Sequence, residues 1–397
     1  MIYLDFNATT PIDSEVQKTI CTSLNEAWGN PSSSYDTGKH AKSVIEDARR
    51  KVAEMIGSAP HEVIFTSGGT ESNQMVISTA CKNFHLEVES GLDLKIPHII
   101  TSQIEHDSIR IPLEKLVEER KAEVTFVSVC KSTGIINVDD IMKEIKPNTC
   151  LITLMLANNE TGVIQPVQQL RPKLKVHKSA SLCTILLHTD AAQALGKIEV
   201  DVDTLDIDYL TIVGHKFYGP RIGALYTKHM KPLYPLFWGG GQERNFRPGT
   251  ENTPMIAGLG KAADLVTLNL EKYNQHMSAM CSYLVKVLKK CFKPKSVIVH
   301  FFKENRLPNT LSVAFDYECT GAAILAKAKN IGASTGSACH SGIGRPSEVL
   351  INSGIPADLA AKTIRLSVGR ETTKEDINKA VKILHNAVKR VTFPLKL

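Results

Sequence analysis

Three short segments hold residue types that could act together on one small molecule. In Gly214-His-Lys-Phe-Tyr-Gly-Pro220, Lys216 stands between apolar and glycine-rich neighbours at the carboxyl end of an apolar run, Tyr209 to Val213. A lysine partly withdrawn from water has a lowered pKa and can form a Schiff base with a carbonyl compound. In His188-Thr-Asp-Ala-Ala-Gln193, Asp190 falls just past a second apolar run, where a carboxylate needs a cationic partner such as a protonated ring nitrogen. In Val63-Ile-Phe-Thr-Ser-Gly-Gly-Thr-Glu-Ser-Asn73, a β-rich run passes through Gly68 and Gly69 into helix-like sequence, with the Thr70 hydroxyl in the first turn. Free backbone N–H groups and the helix dipole converge there, which suits a phosphate. Each segment alone also reads as something plainer: a solvated lysine, a helix N-cap, an ordinary strand-to-helix turn. Their common place at one edge of one sheet is what fits pyridoxal phosphate.

Other residues gather round that edge. His106, in Gln103-Ile-Glu-His-Asp107, follows the run ending at Thr101, where its ring could stack on a flat cofactor and relay protons. Cys339 lies in Ser334-Thr-Gly-Ser-Ala-Cys-His-Ser-Gly-Ile-Gly344, a polar stretch without periodicity that predicts an exposed, reactive thiol. Gly239 to Thr250 is a glycine-rich loop with two arginines, Arg244 and Arg247, suited to anions. Arg365, on a predicted strand, could clamp a substrate carboxylate from an interdomain cleft.

The elements that must position these residues can be read from periodicity. Runs at Val63–Thr66, His98–Thr101, Val124–Val129, Leu151–Leu156, Thr184–His188, Tyr209–Val213 and Gly223–Tyr226 alternate with helical segments, among them 36–57 and 106–121. That alternation predicts a doubly wound α/β domain with a mostly parallel sheet. Thr253 to about Cys291 predicts one long helix with Pro254 in its first turn. Beyond it, Val297–His300, Leu311–Phe315 and Ile364–Val368 predict strands, with helices near 320–330 and 374–390, making a smaller α+β domain. Residues 83–97 read as a surface insertion without strong pattern.

With 397 residues, a formal charge of +6 and 43% hydrophobic residues, the chain has the balance of an ordinary globular protein of two or three domains. No run of five basic residues suggests a nucleic-acid or membrane patch, and apolar stretches such as Leu154–Ala157 are far too short to span a bilayer. The N-terminus lacks a basic and an apolar leader region, so the expected location is the cytosol. Nine cysteines without a C-x-x-C pair predict reduced, buried thiols, Cys339 excepted.

From Tyr3-Leu-Asp-Phe-Asn-Ala-Thr-Thr-Pro11 to Arg365, the chain resembles the fold-type I, pyridoxal-phosphate-dependent cysteine desulfurase and selenocysteine lyase family. The motifs that carry the resemblance are Glu105-His-Asp-Ser108, Asn158-Asn-Glu-Thr-Gly162, Gly214 to Gly223, Asn245 to Thr253 and Ala338-Cys-His-Ser341, all closest in form to the lyase branch. The fold implied is a large domain (14–259) with a mixed, mostly parallel seven-stranded sheet and a small α+β domain (1–13 with 260–397).

The resemblance implies that Lys216 binds pyridoxal 5′-phosphate as a Schiff base and that Asp190 meets the pyridine nitrogen. Gln193 and Asn158 would contact the cofactor hydroxyl and the substrate, and His106 would stack on the ring. Gly69, Thr70 and His215 would bind the phosphate, with Thr250 reaching the phosphate of a neighbouring subunit in a homodimer. Arg365 would hold the substrate carboxylate and Cys339 would accept the chalcogen. Val213 stands where many desulfurases have a serine, so no phosphate contact is carried over there. The implied activity is decomposition of L-selenocysteine to L-alanine and reduced or elemental selenium, with a selenium-acceptor protein as a further partner. A cysteine desulfurase delivering persulfide sulfur, a catalytically silent binding subunit of the same fold and an aminotransferase are the competing readings.

Overall fold

The computed structural model describes residues 1–176, 181–336 and 346–392. Its strands are β1 (Ile2–Tyr3), β2 (Val63–Thr66), β3 (His98–Ser102), β4 (Glu123–Val127), β5 (Thr149–Thr153), β6 (Leu186–Asp190), β7 (Tyr209–Val213), β8 (Gly223–Thr227), β9 (Val297–Val299), β10 (Thr310–Phe315), β11 (Ile331–Gly332) and β12 (Thr363–Ser367). Seven of them form one sheet in the order β2-β8-β7-β6-β5-β3-β4. The pairs β4–β3, β3–β5, β5–β6 and β6–β7 are parallel, and β8 runs antiparallel to both β7 and β2. The short runs of Val, Ile, Leu, Thr and Tyr in β3 and β5 to β8 are buried at every position, because helices cover both faces. Only β4, at the edge, keeps half-exposed residues.

A second sheet, β12-β10-β9, is antiparallel and has its own core, which includes Leu311, Val313, Ile364 and Leu366. The helix Thr253–Cys291 joins the two cores. Its first half contributes Ile256, Leu259 and Ala263 to the large core, and its second half gives Met280, Leu284 and Leu288 to the small one. The Asn252 side chain caps it and Pro254 sits in its first turn. At Gly260 the helix Asp36–Met55 crosses so closely that a Cβ would lie 2.5 Å from the Ala48 Cα, which fixes the residue as glycine.

The N-terminal ten residues form a strap across this junction. Strand β1 pairs with β11, Leu4 enters the small core, and Thr10 N–H donates to the His215 carbonyl at 2.9 Å. The chain's first residues are therefore packed against the loop that carries Lys216.

Several local expectations need correction. The fourth run ends as a strand at Thr153; Leu154 and Leu156 continue as buried irregular backbone whose N–H groups donate to the carbonyls of His188 and Asp190. Asp190 is the last residue of β6 instead of lying beyond it. Residues 83–89 are no insertion loop, since the helix Gly69–Glu89 runs through them and buries Phe84 completely. Hydrophobicity at a period of 3.6 continued there but was diluted by Lys82, Asn83 and His85. The expectation of buried thiols holds for Cys150, Cys183 and Cys281, whereas Cys21, Cys130 and Cys291 are exposed on polar stretches. Cys339 lies outside the described residues.

Candidate active site

The carboxyl ends of β6 and β7 bring Asp190 and Lys216 to one edge, because parallel neighbours in a sheet end on the same side. Asp190 is 8% exposed. Its Oδ2 accepts from Asn73 Nδ2 at 2.9 Å and its Oδ1 accepts from the Ala192 N–H at 2.9 Å. Asn73 cannot turn over, since its Oδ1 accepts from Thr211 Oγ1 (2.6 Å) while its Nδ2 also reaches Ser108 Oγ (2.8 Å). Ser108 Oγ in turn lies 2.9 Å from His106 Nδ1. Asp190, Asn73, Ser108 and His106 thus form one hydrogen-bonded chain, of which sequence reading named only the two ends.

A second chain runs through Asn7. Lys216, on the short turn Gly214–Lys216 after β7, donates to the carbonyls of Asn7 (2.6 Å) and Ala8 (2.9 Å). Gln193 Nε2 donates to the same Asn7 carbonyl at 3.0 Å. Asn7 Nδ2 donates to the Asn159 carbonyl, which also accepts from Arg365 Nη1 at 3.0 Å. Arg365, 2% exposed on β12, forms an ion pair of 2.7 Å with Asp5. Lysine, glutamine and arginine, 172 positions apart from Gln193 to Arg365, are joined through a single N-terminal asparagine. The motif around Asn7 was legible; its role as a hub was not, because a backbone carbonyl leaves no mark in residue type.

Asn158 is fully buried, and its oxygen accepts from the N–H groups of Glu160 and Thr161 while its Nδ2 donates to the Ile104 carbonyl. In this structure it shapes the turn 158–162 and ties it to the segment before His106. Beside it, Glu105 is wholly buried, and burial, opposed by hydrogen bonds from Ser102 and Met155, pushes its carboxyl up to about 8. Glu105, His106, Asn159, Thr335 and Gly336 line a cavity of about 470 Å³.

The glycine turn after β2 is as expected. A Cβ on Gly69 would come within 2.6 Å of Val213 Cγ2, so glycine is required where this helix end approaches β7. Thr70 stands exposed in the helix's first turn. His215 Nδ1 lies 3.1 Å from Thr9 Oγ1; burial, with the charges of Lys216 and Arg221, holds its pKa down to about 4. At neutral pH this imidazole is therefore uncharged. Thr250 is exposed and lines a different cavity, of about 250 Å³, with Thr66, Ser67 and Arg221.

The loop that carries Thr250 is anchored by a buried pair. Arg49 Nη1 and Nη2 reach the two carboxylate oxygens of Glu243 at 2.8 and 2.6 Å, and Phe65 N–H donates to the same carboxylate. Removing one partner of such a pair leaves the other charge desolvated. Glu46 still contacts Arg49 at 3.1 Å, so Glu243→Ala is expected to cost the lower end of the usual range, about 3 kcal/mol. The measurement is the denaturant midpoint, and an unchanged midpoint would contradict the anchor.

Sequence reading also missed Arg370. Its guanidinium stacks 4.3 Å from the Tyr218 ring and 3.7 Å from that of Tyr273, and none of its three side-chain nitrogens has a hydrogen-bond partner among the described residues. Tyr218 has φ +69 and donates its hydroxyl to Glu371, so the stack holds the Lys216 loop against the small sheet.

The site fits pyridoxal phosphate on two counts. Asp190 is a buried carboxylate that forms no ion pair among the described residues, which is what a protonated pyridine nitrogen would supply. Arg365 Nε and Asn159 Oδ1 are buried without hydrogen-bond partners among the described residues, beside the amine-bearing Lys216 network, as a bound polar molecule would require.

Comparison with known proteins agrees. The aminotransferase class-V family model matches residues 2–380. The chain is 51% identical to the selenocysteine lyase of Bos taurus, covering 98% of this chain and 94% of that protein, and 51% identical to that of Homo sapiens, covering 98% and 92%. It is 39% identical to the cysteine desulfurase IscS of Dictyoglomus turgidum, covering 98% and 95%. A solved NifS-like protein superposes with a TM-score of 0.85 at 31% identity, over 97% of this chain and 98% of that one. The chain belongs to the aminotransferase class-V family, whose enzymes of this kind use pyridoxal 5′-phosphate.

Proposed function

We propose that the protein is a selenocysteine lyase that converts L-selenocysteine to L-alanine and reduced or elemental selenium. The observation that carries the chemistry is the buried Asp190 carboxylate, which has no protein cation among the described residues and is set with Lys216 at one sheet edge. The choice of selenium over sulfur is supported by 51% identity to selenocysteine lyases over nearly the whole chain, against 39% for the desulfurase.

When bound, pyridoxal phosphate supplies a carbonyl for an amine and a protonated ring that accepts electrons. The protein's residues do the rest. Lys216 offers an amine that can hold the group and later carry the substrate Cα proton. Asp190 keeps the ring nitrogen protonated, and His106, tied to it through Ser108 and Asn73, covers the ring. Arg365 receives the substrate carboxylate beside Asn159, and Gln193 meets the cofactor hydroxyl with Asn158 supporting that wall. Gly69, Thr70 and neutral His215 hold the phosphate, completed by Thr250 of a second subunit in a homodimer. Cys339 takes up the selenium and passes it to an acceptor protein. The domains divide at 14–259 and at 1–13 with 260–397, the cleft between them holding Arg365. Among the described residues no helix is long and apolar enough to cross a membrane; we place the protein in the cytosol, where a reduced thiol is maintained.

Alanine release from L-selenocysteine and from L-cysteine tests the reading directly. The expected ratio of kcat/KM is at least about a hundredfold in favour of selenocysteine. Comparable values would make the protein a desulfurase, the reading that its 39% identity to IscS supports.

A further inference from the structure

Lys197 has no part in the scheme above, yet it is 4% exposed and lies inside the Asn7 network. It follows β6 by seven residues, beyond a turn at Gly196 with φ +74. Its Nζ lies 2.7 Å from Gln193 Oε1 and 3.1 Å from Asn7 Oδ1, and it enters no ion pair among the described residues. Two acceptors match the two hydrogens of an uncharged amine, whereas an ammonium would bury a third hydrogen with no acceptor among the described residues. The electrostatics agree: burial, then the charges of Lys216 and Arg365, push the pKa of this amine well below the ordinary lysine value.

The consequence is geometric. An amide side chain can be turned over, exchanging its oxygen for its nitrogen at almost no steric cost, so something must decide which end faces the site. At Gln193 the oxygen receives a hydrogen from Lys197, and the nitrogen is left to donate to the Asn7 carbonyl. The second hydrogen of that nitrogen has no protein acceptor among the described residues. At Asn7, the oxygen accepts from Lys197 and from Asn309 Nδ2, and the nitrogen donates to Thr310 Oγ1 and the Asn159 carbonyl. The Asn7 backbone carbonyl, on the same residue, accepts from Lys216.

We propose that Lys197 is a positioning residue that locks the Gln193 amide with its N–H side toward Lys216, so that the site presents a hydrogen-bond donor, and never an acceptor, to the hydroxyl oxygen of the cofactor. The inference rests on the proposed role of Gln193. A donor there stabilises the oxygen in its anionic form, and an amide free to turn would present its own lone pairs to that anion for part of the time. Lys197 touches neither cofactor nor substrate and acts only through the two amides.

The test is a double-mutant cycle read by absorbance. The visible band of the cofactor-loaded protein is titrated with pH for wild type, Lys197→Met, Gln193→Ala and the double variant. Methionine keeps the volume and apolar stem while removing both hydrogens. Lys197→Met should move the band's transition by about one pH unit in the same direction as Gln193→Ala. The double variant should move it no further than Gln193→Ala alone, since Lys197 acts through that residue. Additive shifts, or no shift in Lys197→Met, would overturn the proposal. Lys197→Gln, which retains N–H donors on an uncharged head, serves if the methionine variant does not fold. It should stay close to wild type, and a shift matching that of Gln193→Ala would equally overturn the role. A wild-type protein that takes up no cofactor and shows no band would instead remove the reading of Gln193 on which the proposal rests.

Discussion

Lys216→Ala is expected to abolish turnover and, with it, the visible absorption of protein incubated with pyridoxal phosphate. The amine sits on a turn fixed from three sides. The His215 carbonyl accepts from Thr10 N–H, Tyr218 N–H donates to Thr10 Oγ1 at 2.8 Å, and the Tyr218 ring lies under Arg370. Such anchoring holds the Lys216 side chain between two carbonyls of the N-terminal strap, and the other lysine of this network cannot replace it. Lys197 is committed to Gln193 and Asn7 behind the strap. Loss of the proton carrier alone removes about 10²–10⁴ in rate, and loss of the covalent tether adds to this. Because Lys216 donates to main-chain carbonyls of a strap that other contacts also hold, the alanine variant should melt near the wild-type temperature. Turnover within tenfold of wild type, or a retained visible band, would contradict the assignment. A collapsed melting temperature would show instead that the lysine mainly holds the strap.

Much of the fold is legible in the sequence, and the reason is local. Strands β2 and β7 and the long helix Thr253–Cys291 agree with expectation to the residue, because each is bounded by strong signals: Gly68 after β2, Gly214 after β7, Asn252 before the helix and Pro254 in its first turn. The placement of Asp190 and Lys216 at one sheet edge was legible for the same reason, as each stands within three positions of the end of a well-marked strand. What escaped was everything whose function depends on a partner distant in sequence. Asn73 lies mid-pattern in a helix and looks like any polar helix residue, yet it orients Asp190 from 117 positions away. Asn7 and Lys197 are 190 positions apart. The overextended run at Leu154–Leu156 failed because hydrophobicity reports burial, and that segment stays buried after it leaves the sheet, with its N–H groups satisfied by the carbonyls at the end of β6.

The second large effect is expected at Asp190, and there stability and chemistry separate. Replacing it by asparagine keeps the shape but leaves one acceptor oxygen where two are used. Ala192 N–H points at Oδ1 and Asn73 Nδ2 at Oδ2, and Asn73 is barred from turning over by Thr211 and Ser108. Whichever way the new amide lies, its nitrogen faces a donor, and a buried polar group loses its partner at a cost of about 1–3 kcal/mol. That loss should appear in the melt of the cofactor-free protein. Turnover should fall further, by at least about a hundredfold, because a neutral amide no longer holds a proton on the ring nitrogen and the electrons leaving the substrate Cα lose their sink. Since Lys216 is untouched in this variant, cofactor should still bind and colour the protein. Colour retained with turnover lost is thus the signature of Asp190 as the ring's counter-charge, and it differs from that of Lys216→Ala, which loses both. If Asp190→Asn turned over as wild type, the carboxylate would be reduced to a structural acceptor for Asn73, and the electron sink would have to be maintained by some other group. Among the described residues none presents itself: Glu105 is held by Ser102 and Met155 with its carboxyl pushed toward the neutral form, and Asp5 is paired with Arg365.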